Sequence, residues 1–180
     1  MSEELHEMQE HAEHAHHDPT VAPVTMTMAI LAVLVAIVSL LGHRAHTEEV
    51  LLQNRSTDQW SFYQAKNIRR HSDEQFAELA SVLSAKDAES VKKFHEKYQQ
   101  EAELYRDELK ELEAKGHEIE AEIALEQRRG NRFDLGEVLL EIALVVTSIT
   151  LMTGRRFFWA FGIISAGAGL LVAATGLLLH

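Results

Sequence analysis

The chain has 180 residues, 28 acidic against 17 basic, a net charge of -11, no cysteine and two prolines. Without cysteine there is no disulfide framework, thiolate metal site or cysteine nucleophile, and an acidic chain with no basic patch does not suit nucleic acid. The charge is unevenly spread, with uncharged apolar runs flanking a long charge-dense middle. That division predicts an all-α membrane protein with a large soluble insert.

Residues 1–23 carry six acids and five histidines but no Lys or Arg. Too little apolar surface is present to fold alone, so the segment reads as an acidic, histidine-rich tail. His11, His14 and His17 would share a face if it were helical. Neutral imidazoles beside carboxylates can take zinc, copper or nickel, which makes these three the candidate metal ligands and metal sensing one functional reading.

Residues 24–42 are nineteen uncharged residues. At 1.5 Å per residue they cover about 28 Å, close to the thickness of a hydrocarbon core, and predict the first transmembrane helix. The acidic lead and the absence of a small-residue cleavage site argue against a signal peptide. Thr25, Ala29, Ala32, Ala36 and Ser39 lie on one face of this span, a small-residue stripe of the kind that lets membrane helices approach closely.

Residues 43–134 contain no proline and only Gly116 and Gly130, a composition suited to long helices. Val91, Phe94, Tyr98, Ala102, Tyr105, Leu109, Leu112, Gly116, Ile119 and Ile123 recur at alternating three and four spacing, which predicts a coiled-coil seam. Ser84–Asp87 fits a capping box and would mark the tip of a helical hairpin. One arm would run out of span one and the other back to Gly130, where Arg128 and Arg129 suit a helix end. The pattern permits pairing within one chain or between chains.

Residues 135–152 form a second span, apolar except for Glu137 and Glu141, and residues 157–179 a third, opening on Phe157, Phe158, Trp159 and Phe161. The four residues between them force an antiparallel crossing. Asp134, Glu137 and Glu141 share a stripe with Leu144 and Ser148. Asp134–Glu137 has the form of a second capping box, which would make Glu137 a helix-start device. Glu141 lies deeper, and intramembrane charge marks a functional candidate that needs a partner such as Arg44, water, or a ring of its own copies. Gly162, Ala166, Gly169, Ala173 and Gly176 give span three a small-residue face. Arginines near the span ends number five on the insert side and two in the short loop, which predicts a cytoplasmic insert and an external amino terminus.

The stretch from Gln53 to Asn67 replaces the surrounding Glu and Lys with amides, hydroxyls and aromatics. Its words Asp58-Gln59-Trp60, Tyr63-Gln64-Ala65-Lys66 and Ile68-Arg69 resemble the signature of an uncharacterised bacterial membrane-protein family, domain of unknown function 4337. The resemblance covers roughly residues 20 to 178 and implies a bacterial inner membrane, an amino-terminal span, a helical insert and a closing two-span hairpin. It implies no activity. Trp60, Tyr63, Gln64 and Lys66 are the candidates for docking a protein partner.

No phosphate-cradling glycine loop, zincin motif or nucleophile elbow occurs, so no enzyme and no cofactor are expected. The expected function is a homo-oligomeric scaffold or accessory protein in the lipid bilayer. The rival reading is a cation channel or ion-binding assembly lined by Glu141 and Glu137.

Overall fold

The computed structural model describes residues 21–82 and 88–179. These form three helices with no strand among the described residues: α1 Val21–Val82, α2 Ala88–Thr153 and α3 Arg156–Leu177. Each contains a stretch long and apolar enough to cross a membrane. The histidine-rich tail to residue 20 and the Ser84–Asp87 capping box lie outside the described residues.

The chain divides into two compact units, Met1–His46 with Gln127–His180, and Thr47–Glu126. They are called here the terminal and the central unit. Helices α1 and α2 pass through both.

In the terminal unit, Leu31, Val38 and Ala45 of α1 form one core with Phe133, Leu140 and Ala143 of α2 and Ala173 of α3. The expected small-residue face of the first span is not the one that packs. Thr25, Ala29, Ala32 and Ala36 are exposed, while Val24, Leu31, Val38 and Ala45, seven residues apart, are buried. The branched stripe fills the space between helices and leaves the small residues on the outside.

The third span behaves as its pattern predicts. Gly162, Gly169, Ala173 and Gly176 are buried against α2. At the closest approach, a Cβ on Gly136 would stand 2.9 Å from the Gly169 carbonyl oxygen, and one on Gly169 would stand 2.9 Å from that of Gly136. Backbone meets backbone here, which only paired glycines permit. Ser165 adds a hydroxyl bond of 3.0 Å to the Leu139 carbonyl.

The turn between α2 and α3 is closed by Gly154 at φ +65, whose N–H donates to the Thr150 carbonyl at 2.8 Å. This left-handed glycine takes up a carbonyl that the helix end would otherwise orphan.

Helix α2 does not stop at Gly130 or restart at Asp134, as the sequence suggested. It is unbroken from Ala88 to Thr153. Gly130 is there because His46 crosses it, 2.8 Å from where a Cβ would stand. Asp134 is not a cap, since its carboxylate bonds His46 Nε2 across the helix pair at 3.0 Å. Glu137 therefore starts no helix and lies half-buried in the middle of one.

Candidate functional site

In the central unit, α1 and α2 pack in opposite chain directions, from Gln59 on Leu112 to Ala77 on His95. The predicted seam of α2 is buried or half-buried at every position except Phe94. Its counterpart on α1 is less regular in chemistry. Leu52, Gln59, Lys66, Asp73 and Ala80 recur every seven residues, with Ser56, Tyr63, Arg70 and Ala77 between them, and all are buried or half-buried. A seam of this spacing is ordinarily apolar. Here its centre is polar, which periodicity in Val, Leu and Ile could not have found.

The motif words supply that polar centre. Gln59 Nε2 donates to the Leu112 carbonyl at 2.9 Å. Trp60 lays its indole on Gly116, whose Cβ, if present, would stand 3.0 Å from the ring, and its Nε1–H donates to Glu120 at 3.0 Å. His117 bonds the other oxygen of Glu120 at 2.9 Å, and both Tyr63 and His117 meet Trp60 edge-on with centroids 5.5 Å away. Lys66 pairs with Glu108 and lies 5.3 Å from the centroid of Tyr105 and 5.5 Å from that of Phe62. Such specific polar contacts fix which residue faces which, a task that interchangeable apolar contacts perform poorly.

Of the four docking candidates, Trp60, Tyr63 and Lys66 are thus half-buried in contacts with neighbouring side chains of the central unit, and only Gln64 is exposed.

Further along the pair, Arg70 bonds Asn67 Oδ1 at 3.0 Å and sits 3.5 Å from Glu74, which Arg106 also reaches at 3.5 Å. The Arg70 Nε is buried without a partner. Burial, and next to it the negative charge of Glu101, hold the Asp73 carboxyl above the usual carboxylate range, against the lowering pull of Lys97 and Arg69. His95 donates its Nδ1–H to the Ala77 carbonyl at 2.8 Å.

In the terminal unit, Glu141 lies between Leu139, which contacts Ser165, and Ala143, which contacts Gly162. It is therefore level with the middle of α3. Its side chain is exposed, on a face shared with Leu135, Val138, Ile142 and Val145. Neither Glu141 nor Glu137 makes a hydrogen bond or ion pair among the described residues, and Arg44 does not reach Glu141. At the loop end, Trp159 Nε1–H donates to Thr27 Oγ1 at 3.2 Å, while Thr147 and Thr150 hydroxyls are buried without partners.

His11, His14 and His17 lie outside the described residues, and no cluster of three or more potential ligands occurs among the described ones. Among the described residues no nucleophile is set beside a base. The arrangement offers helix faces, one polar seam and one carboxyl, that of Glu141, on an apolar face of a helix long and apolar enough to cross a membrane.

No curated protein and no solved structure matches the chain. A family model described as a domain of unknown function, DUF4337, matches residues 20–179. With that match running over nearly its whole length, the chain belongs to the DUF4337 family.

Proposed function

We propose that the chain is a homo-oligomeric scaffold or accessory protein of a bacterial inner membrane. In this reading its three apolar stretches cross the bilayer, and the central unit is a cytoplasmic helical hairpin inserted between the first two spans. The hairpin serves self-association and the docking of a protein partner. The observation that supports assembly is Glu141, an unpartnered carboxyl on an apolar outward face, level with the middle of the third helix. A carboxyl at that depth is costly against lipid tails and is ordinarily covered by protein or water. A neighbouring copy covers it, and the exposed small-residue face of the first span, Ala29, Ala32 and Ala36, offers a surface for close approach.

The test is native mass in a mild detergent, with Glu141→Gln and Glu141→Leu beside the parent chain. The expected result is an oligomer that Gln preserves, because an amide still hydrogen-bonds, and that Leu weakens. A monomeric parent chain would remove the reading.

The same carboxyl supports a second reading, a cation path ringed by Glu141 from each copy, with Glu137 beside it. This reading predicts cation currents in reconstituted bilayers that Glu141→Gln reduces. An oligomer that passes no current leaves the scaffold.

A further inference from the structure

The seam that α1 and α2 share leaves each helix of the central unit with an outward face, and the two faces differ in charge. On α2 the outward positions include Lys93, Glu96, Lys97, Glu103, Asp107, Lys110, Glu111 and Glu118, all exposed. This is the ordinary composition of a solvated face. On α1 the line directly opposite the seam is Asn54, Ser61, Ile68, Gln75 and Val82, seven residues apart, all exposed and none charged. Beside it, one flank reads Val50, Thr57, Gln64, His71 and Glu78 and the other Leu51, Asp58, Ala65, Ser72 and Leu79, so that the flanks carry Asp58, Glu78 and one histidine while the centre line carries no charge. From Asn54 to Val82 the uncharged centre line runs about 42 Å at 1.5 Å per residue.

Two further features mark the strip as a contact surface. Its apolar members are well exposed, Ile68 at 67% and Val50 at 61%. Its hydroxyls are already satisfied by their own helix: Thr57 bonds the Gln53 carbonyl at 2.9 Å, Ser61 that of Thr57 at 2.8 Å and Ser72 that of Ile68 at 3.0 Å. A back-bonded hydroxyl presents carbon to a neighbour and asks for no new hydrogen bond.

We propose that this face is the seam on which the central unit of a second copy of the chain docks, the two α1 helices side by side and parallel. The proposal rests on the membrane reading above, which puts every copy's central unit on one side of the bilayer and so forces parallel pairing. About a two-fold axis normal to the membrane, each residue at the seam meets its own counterpart. Like charges would then meet like charges, which excludes the outward face of α2 and every other charged surface. The strip on α1 is free of that penalty along its whole centre. Asn54, Gln64 and Gln75 can each bond their own copies, because an amide is donor and acceptor at once. A lipid surface is a poor occupant, since an interfacial helix carries a polar edge rich in Lys and Arg, whereas this face carries Asp58 and Glu78 on its flanks and only Arg55 and Arg69 beyond them.

The chain has no cysteine, so single cysteines report contact directly. Ser61→Cys and Ile68→Cys, with Ala114→Cys on the outward face of α2 as control, are oxidised with copper phenanthroline in membranes, and the products are sized. The expected result is disulfide-linked dimers at Ser61→Cys and Ile68→Cys, roughly tenfold above the control, because a parallel seam holds the two thiols at high effective concentration. A mixture of Ser61→Cys with Gln75→Cys chains is expected to add no product that the separate chains lack. Native mass of the parent chain in mild detergent separates the possible failures. If the chain is oligomeric but the α1 cysteines link no better than the control, the seam is wrong and the assembly stands. If the chain is monomeric, seam and assembly fall together. A linked product of a mass other than twice the chain would assign the face to a foreign protein and overturn the proposal. Ile68→Lys combined with Gln75→Lys, both exposed changes that leave the α1–α2 seam intact, is expected to lower the dimer fraction several-fold at unchanged helicity.

Discussion

Along one helix, α1, the buried stripe changes its chemistry between the two units. In the terminal unit it reads Val24, Leu31, Val38 and Ala45, and in the central unit Leu52, Gln59, Lys66, Asp73 and Ala80. The spacing is constant while the contacts are not. Where the helix is apolar on every side, burial is achieved by shape: branched side chains fill the space between α1 and α2, and paired glycines bring α2 and α3 together. Where the outer surface carries charge, the seam carries amide, ammonium, guanidinium and carboxyl groups whose partners set the register. The comparison teaches that a seven-residue period reports which side of a helix is covered and leaves open which side chains stand there. On the membrane reading proposed above, the medium accounts for the difference, since an unpaired polar group is costly in lipid and tolerated beside water.

Four sets of substitutions would break or sharpen this contrast. The largest effect belongs to the terminal unit. Gly136→Val or Gly169→Val places a side chain where backbone atoms of the other helix stand at 2.9 Å, and neither backbone can yield. Loss of about 3 kcal/mol is expected, at the upper end for overpacking, read as a lower thermal midpoint of helicity in detergent. A midpoint equal to that of the parent would mean the two helices do not pack at these glycines.

In the central unit, Trp60→Ala removes the indole that covers Gly116 and frees Glu120. The expected cost is about 2 kcal/mol, below that for a fully buried aromatic, because the residue is half-buried. The readout is the central unit's share of the thermal transition. Gly116→Val should reproduce most of it by pushing against the same ring.

Lys66→Met should be milder. It takes an ammonium out of the seam, keeps the length of the side chain and leaves the Glu108 carboxylate, which is more than a third exposed, to water. An ion pair this open to solvent contributes about 0–1 kcal/mol. Stability within about 1 kcal/mol of the parent is expected. The sharper readout is register. Spin labels at Gln99 and Glu78, both exposed, should show a broader distance distribution in the variant if Lys66 selects the alignment, and an unchanged one if it does not.

Smallest of all is Asp73→Asn. The carboxyl is held above its ordinary range, chiefly by burial and then by Glu101, so its ionised form is less stable in the folded chain than in the unfolded one. Ionised Asp73 therefore lowers stability above its folded pKa, and the penalty fades as pH falls through that pKa toward the unfolded value. Asp73→Asn should be slightly more stable than the parent at neutral pH and lose that advantage under acid. An advantage independent of pH would place the effect elsewhere.

Much of the architecture was legible in the chain itself. The three apolar runs, the tight turn before Arg156 and the small-residue face of the third span follow from composition and spacing, because lipid and close helix packing each admit few residue types. The seam of α2 was legible for the same reason, since Ala102, Leu109 and Leu112 stand out against Glu and Lys. Its partner on α1 was not, because Gln59, Lys66 and Arg70 look like surface residues until the facing helix supplies Leu112, Glu108 and Glu74. For the same reason Trp60, Tyr63 and Lys66, read in isolation, suggested a docking face for an outside partner, whereas their nearest contacts lie within the central unit.

Sequence by itself determined that this chain is helical, that three stretches are apolar enough for a membrane and that a carboxyl is carried inside one of them, because these are properties of residues taken in order. Only the tertiary structure decided which face of each helix is covered. Gly130 and Asp134 read locally as a helix end and a helix start, yet α2 runs through both, since His46 on another helix occupies the space above the one and bonds the other. The small residues of the first span read as its packing face, yet they stand outside, since Leu31 and Val38 fill the gap against α2 better than alanines would. A local pattern limits what a residue is able to do, and the neighbour that arrives from far along the chain selects among those options.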